Sequence, residues 1–174
     1  MRTTRATRIS AAASAVTFVI LTMATLAQTP IASAHYQHDS KALLPDPSET
    51  PGAVFTTDKA KICKVGYAKT VPEVSQSDKD KVLARYGVQP STRTVNGKVV
   101  PVCCQVDRLI SAKLGGSNDI KNLWPQPYSP KPGAREKDAL EDWLLKQVCA
   151  GTIPVEKAQQ DLAKDWYASY RQMK

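Results

Sequence analysis

The chain has 174 residues, with 24 Lys and Arg against 16 Asp and Glu, a net charge of +8. That length suits one domain around one hydrophobic core. The basic excess fits a polyanionic partner and equally an ordinary basic surface, and nothing beyond residue 34 is apolar enough to cross a membrane.

The chain opens on Arg2, Arg5 and Arg8. Residues 11–26 are apolar and uncharged, and Ala32-Ser33-Ala34 is a small-x-small cleavage site. That order reads as a secretory signal peptide over residues 1–34, and the apolar run is short for the ~20 residues a membrane anchor needs. The expected location is therefore secreted or in the cell envelope. Removing the three arginines takes the net charge from +8 to +5.

Residues 35–59 are rich in Pro, Ser, Thr and Asp and read as a flexible leader. His35 and His38 lie at its start, and Pro45, Pro47 and Pro51 argue against order nearby. The domain proper is expected over residues 60–174. Residues 61–67 read as a short extended piece. Ser75 or Ser77 caps a helix reaching Tyr86, with Asp78 and Asp80 in its first turn, Val82, Leu83 and Tyr86 as its apolar stripe, and Gly87 as its stop. Asn96-Gly97 is a turn signal for a small hairpin.

Residues 99–106 are strand-like. A period of two puts Val100, Val102, Cys104 and Val106 on one face, and Pro101, Cys103, Gln105 and Asp107 on the other. The Gly115-Gly116 turn follows, then a return strand over residues 120–124. Pro125, Pro127, Pro130 and Pro132 read as a stiff loop. A long helix is expected over residues 134–149, stopped by Gly151, with Leu140, Trp143, Leu144 and Val148 buried. A last helix runs from Pro154 to about Arg171 along Val155, Ala158, Leu162, Trp166 and Tyr170. The spacing of Trp124, Trp143 and Trp166 suits a core. The expected fold is α+β: a β-hairpin and a long helix forming a ββα unit, with flanking helices.

Cys63, Cys103, Cys104 and Cys149 all follow the signal segment, and an even count in an oxidising compartment suggests disulfides. Four cysteines allow three pairings, one of which joins the adjacent Cys103 and Cys104. A zinc site competes with this, but there is no Cys-x-x-Cys pair.

The run Val106-Asp107-Arg108, then Gly115-Gly116-Ser117-Asn118-Asp119-Ile120-Lys121-Asn122-Leu123-Trp124-Pro125, resembles the core of HNH-type endonucleases, the ββα-metal fold. Residues 62–67, Arg85-Tyr86-Gly87, Lys137-Asp138, Leu140-Glu141, Val148-Cys149 and Asp165-Trp166 extend the likeness to a subgroup of small exported members, covering roughly residues 60–170. The resemblance implies metal-dependent hydrolysis of nucleic-acid phosphodiesters by a monomer. It gives Asp107 as metal ligand, Asn122 as the residue that braces the loop, and a Cys63–Cys149 disulfide.

Two positions depart from the pattern. Arg108 stands where the family has its histidine base. A guanidinium stays protonated and cannot take a proton from water, though it can hold a phosphate oxygen. Leu145 stands where the subgroup has a second histidine on the long helix. Losing a positioned base typically costs about 10²–10⁴ in rate. Glu141, one helical turn before Leu145, is the substitute candidate for a metal ligand, and a divalent ion (Mg, Mn or Zn) would be weakly bound at most. The candidate catalytic set is Asp107, Arg108 and Asn122. Arg108, Lys113, Lys121, Arg135 and Lys137 flank the motif as candidate contacts to a nucleic-acid backbone. Two expectations follow: a metal-dependent nuclease with weak or lost activity, or a catalytically inactive relative that binds nucleic acid or a protein partner.

Overall fold

A computed structural model describes residues 36–38, 43–89, 92–101 and 103–173. The segment 1–34 read as a signal peptide, and His35, lie outside the described residues. Among the described residues no helix is long and apolar enough to cross a membrane.

Among the described residues, six strands form three two-stranded antiparallel sheets: β1 (Tyr36–His38) with β2 (Leu43–Pro45), β3 (Thr92–Val95) with β4 (Lys98–Pro101), and β5 (Cys104–Arg108) with β6 (Leu123–Pro127). Five α-helices accompany them among those residues: α1 (Lys59–Ile62), α2 (Tyr67–Thr70), α3 (Gln76–Arg85), α4 (Ala134–Ala150) and α5 (Val155–Gln172). The β5–β6 pair with α4 is a ββα arrangement, and α3 and α5 flank it. The fold is α+β, as the periodicities imply.

Local chemistry sets the boundaries. Ser75 caps α3: its Oγ accepts the Asp78 N–H at 3.1 Å, and its hydroxyl donates to Asp78 Oδ2 at 2.7 Å. The turn of the β3–β4 hairpin is Asn96-Gly97, with φ of 49° and 73°, the left-handed pair that a two-residue hairpin requires. Gly133 opens α4 by donating its N–H to Glu136 Oε2 at 2.8 Å, and Gly151 closes it at φ 81°. α5 bends at Asp165, where Oδ1 accepts the Ala168 N–H at 2.8 Å and caps the second half anew.

Four features differ from the sequence expectation. Residues 61–67 are the end of α1, a turn and the start of α2, and not an extended piece. Asp58 Oδ1 accepts the N–H groups of Ala60 (2.9 Å) and Lys61 (3.3 Å), and that cap outweighs the β preference of Ile62 and Val65. The expected strand 99–106 falls into two elements of different sheets, β4 ending at Pro101 and β5 beginning at Cys104. Cys103 and Cys104, whose state the sequence left open, are bonded to each other. Pro125 and Pro127 lie in β6 and not in a loop. Leu109 N–H donates to the Asn122 carbonyl and Tyr128 N–H to that of Cys103, which leaves residues 125 and 127 at the alternate positions, where no ladder donor is needed.

The fourth concerns the segment ahead of the domain. Gly52 N–H donates to the Lys121 carbonyl at 3.0 Å, Phe55 N–H to Gly115 at 2.8 Å, and Ser117 N–H to Ala53 at 3.0 Å. Thr50 is buried, with its hydroxyl 2.7 Å from Tyr86 Oη. Its prolines stiffen this stretch, and the loop it lies against offers the backbone partners that a free leader would lack.

The core gathers Leu44, Val82, Tyr86, Leu109, Leu114, Leu123, Trp124, Leu140, Leu144, Leu162 and Trp166; Trp143 is partly buried against it. The Cys63–Cys149 disulfide ties the end of α1 to the last turn of α4, with Cα atoms 5.5 Å apart across a separation of 86 residues. Closing a loop that long restricts the unfolded chain by about 4 kcal/mol. Replacing both cysteines with serine should lower the unfolding free energy by roughly that amount in urea titration. A change below about 1 kcal/mol would mean that packing, and not the bridge, holds α1 against α4.

Candidate functional site

The end of β5 carries Asp107 and Arg108, which pair with Trp124 and Leu123 as β6 begins. Between the strands the chain runs through a 3₁₀ turn (Ala112–Leu114), the Gly115-Gly116 pair and a second 3₁₀ turn (Ile120–Asn122). Asn122 is fully buried and holds this loop closed. Its Oδ1 accepts from Ile110 N–H (2.9 Å) and Ala53 N–H (3.3 Å), and its Nδ2 donates to the carbonyls of Ile110 and Ser117 (2.9 Å each). Gly116 has to be glycine, because a Cβ there would sit 1.8 Å from the Ile110 carbonyl oxygen.

α4 lays Lys137 and Glu141 against this strand end, one helical turn apart. The Lys137 side chain has 0% exposure. Its Nζ donates to Asp107 Oδ2 at 3.1 Å, to the Arg108 carbonyl at 2.7 Å and to Glu141 Oε1. The second oxygen of Glu141 accepts from Ser111 Oγ at 2.7 Å. Burial pulls the Lys137 ammonium down, but the Asp107 and Glu141 carboxylates outweigh it and hold the group well above its ordinary range. Burial pushes the Glu141 carboxyl up, and Lys137 brings it part of the way back. Asp138, on the solvent side of the helix, is also raised, by partial burial and then by the Asp107 charge.

One oxygen from each of Asp107, Asp138 and Glu141 lies within 4.8 Å of the others, a group able to coordinate a divalent metal ion. All its donors are carboxylate oxygens, the set preferred by hard ions such as Mg²⁺ and Mn²⁺ over Zn²⁺. Asp107 and Glu141 were expected as ligands. Asp138 was missed, although its place beside Lys137 and one turn before Asp142 put it on the rim of the same face.

The other candidates divide. Arg108 is turned toward the α2–α3 connection, where Nε donates to Asn118 Oδ1 at 2.8 Å and Nη2 to the Pro72 carbonyl at 3.0 Å. Lys113 pairs with Asp142 at 2.6 Å. Lys121 and Arg135 are exposed. Lys137, expected to meet a nucleic-acid backbone, has no exposed surface and is an internal partner of Asp107 and Glu141; that expectation is corrected. The stripe of α4 carried the signal, since position 137 falls one turn before Leu140 and Glu141 on the buried face. Leu145 is half-buried beside Cys149.

Comparison with protein-family models, with curated proteins and with solved structures finds no match to this chain.

Removing the buried cation would leave two carboxylates facing each other. Lys137→Met should cost about 3–5 kcal/mol in chemical denaturation. The raised ammonium supplies stability that is fully present below the ordinary lysine value of 10.5 and lost as pH rises through the folded value. In the variant, Glu141 relieves the repulsion by taking a proton, so the deficit should shrink as pH falls from neutrality into the acid range. A deficit constant over that range would place the cost in packing alone.

Proposed function

We propose that this chain is an exported protein of the HNH nuclease type, with metal-dependent hydrolysis of nucleic-acid phosphodiesters that is weak for want of a base. The observation that carries this reading is a carboxylate at a strand end, Asp107, set against two more from the adjoining helix, Asp138 and Glu141, beside a loop locked by a buried asparagine. Both departures from the resemblance bear on this reading: Arg108 follows Asp107, and Leu145 stands where the resemblance expects an imidazole.

Asp107 and Asp138 would hold a divalent ion from the solvent side, with Glu141 behind them. A bound ion supplies Lewis-acid stabilisation of charge on a phosphate oxygen. The protein's own groups then have limited work. Asn122 keeps the loop, and so Asp107, in position. Arg108, committed to Asn118 and Pro72, takes no proton. Asp138, the exposed carboxylate of the group, is the one that an ion arriving from solvent would meet first. Exposed Lys121 and Arg135 add attraction for a polyanion.

The purified protein should nick supercoiled plasmid slowly with Mg²⁺ or Mn²⁺ and not with a chelator present. Asp107→Ala should abolish the nicking, and nicking that survives the substitution would remove Asp107 from the reaction.

A second reading has its own support. The commitments of Arg108 and Lys137 to partners within the chain suit a protein that binds without turnover. Binding of duplex DNA should then occur without metal and weaken steeply as salt rises, in proportion to the phosphates neutralised. A salt-independent affinity would exclude a backbone-contacting surface.

A further inference from the structure

The acidic group already contains a cation of its own. The Lys137 ammonium sits among Asp107 Oδ2, Glu141 Oε1 and the Arg108 carbonyl oxygen, with no solvent access. Two carboxylates and a backbone carbonyl converging on one point are the donors a hard divalent ion takes. Here the chain brings the charge itself, on a side chain one helical turn before Glu141. The other Glu141 oxygen is engaged by Ser111. The inward-facing oxygens of the group are therefore committed.

We propose that Lys137 is the resident cation of this site: its ammonium fills the inner position between Asp107, Glu141 and the Arg108 carbonyl, and thereby keeps a divalent ion off those oxygens. An entering ion is restricted to Asp107 and Asp138 on the outer side. There it meets two ligands and a neighbouring positive charge, an arrangement that lowers affinity by at least about tenfold in a partly dry site. The idea rests on the metal reading above only for the class of ion, and it needs no nucleic acid and no turnover.

The test is Mn²⁺ binding to the whole protein and to Lys137→Met, followed by calorimetry and by the shift in unfolding temperature on adding the ion. The methionine fills the space of the lysine stem and frees both inner carboxylate oxygens. Lys137→Met should bind Mn²⁺ at least about tenfold more tightly than the unaltered protein. Its unfolding temperature should rise with Mn²⁺ more than that of the unaltered protein. Adding Glu141→Gln to the same chain should remove the gain. A folded Lys137→Met with equal or weaker affinity overturns the proposal, as does a gain that survives Glu141→Gln. If Lys137→Met is unfolded without metal, refolding driven by Mn²⁺ supports the proposal, and a chain that stays unfolded in millimolar Mn²⁺ overturns it. A protein that nicks no plasmid but shows this gain loses the nuclease reading alone. One that nicks plasmid without the gain loses only the resident cation.

Discussion

A charged ammonium held where water cannot reach it organises the whole site. Desolvating Lys137 costs several kcal/mol, and only close, well-directed partners offset that. Asp107, Glu141 and the Arg108 carbonyl supply them from two different elements. The bonds therefore fix more than a side chain. They set the rotation of α4 about its axis, since a helix turned by one residue would carry Lys137 off the buried face. They also set the height of α4 against the strand pair, since Nζ reaches both a side chain and a main-chain oxygen at the end of β5. The apolar stripe of Leu140, Leu144 and Val148 gives α4 its adhesion, and the lysine gives it its register.

The loop facing that lysine is held from three directions. Asn122 spans it internally and satisfies backbone groups at Ile110 and Ser117. The segment before α1 runs along its outer edge, where Phe55 and Thr56 N–H groups bond to the Gly115 carbonyl. From α5, Gln159 Nε2 donates to the carbonyls of Leu114 (2.7 Å) and Thr56 (2.9 Å), joining loop and segment. The two glycines make this approach possible. A Cβ on Gly115 would sit 2.1 Å from the Thr56 carbonyl oxygen, as one on Gly116 would meet Ile110. Polar backbone packed this closely has no room for water, so each carbonyl needs a protein donor.

What the sequence made legible is what depends on local pattern. The α3 cap at Ser75 or Ser77, the Asn96-Gly97 hairpin and the span of α4 to Gly151 all follow from short-range chemistry; the cap is Ser75, and the other two are found where the residues put them. Asn122 as a brace was also readable, because the motif around it is long. What escaped depends on partners distant in sequence. The stripe of α4 marks position 137 as buried, but nothing within a helical window reveals its partner, Asp107, 3.1 Å away across the fold. The stretch before α1 looked like a leader because its bonds are made to residues some 60–70 positions later. Pro125 and Pro127 looked like loop residues because proline's missing donor matters only on one side of a strand, and sequence does not say which side is paired.

Arg108 shows how such long-range commitments bear on chemistry. A guanidinium beside an aspartate would ordinarily be expected to fold onto it or onto an approaching phosphate. Here two of its nitrogens are spent on Asn118 and the Pro72 carbonyl. Asn118 donates to that same carbonyl at 2.9 Å, so the three residues form one closed set that pins the α2–α3 connection beside the loop. Freeing Arg108 for a ligand would cost both bonds and loosen that connection. Asp107 then finds its positive partner in Lys137, on the inner side, and offers only its outer oxygen to solvent. Arg108 is thus a strut: its two bonds anchor the α2–α3 connection beside the loop, and that anchoring takes the guanidinium away from the strand end, where a ligand would have met it.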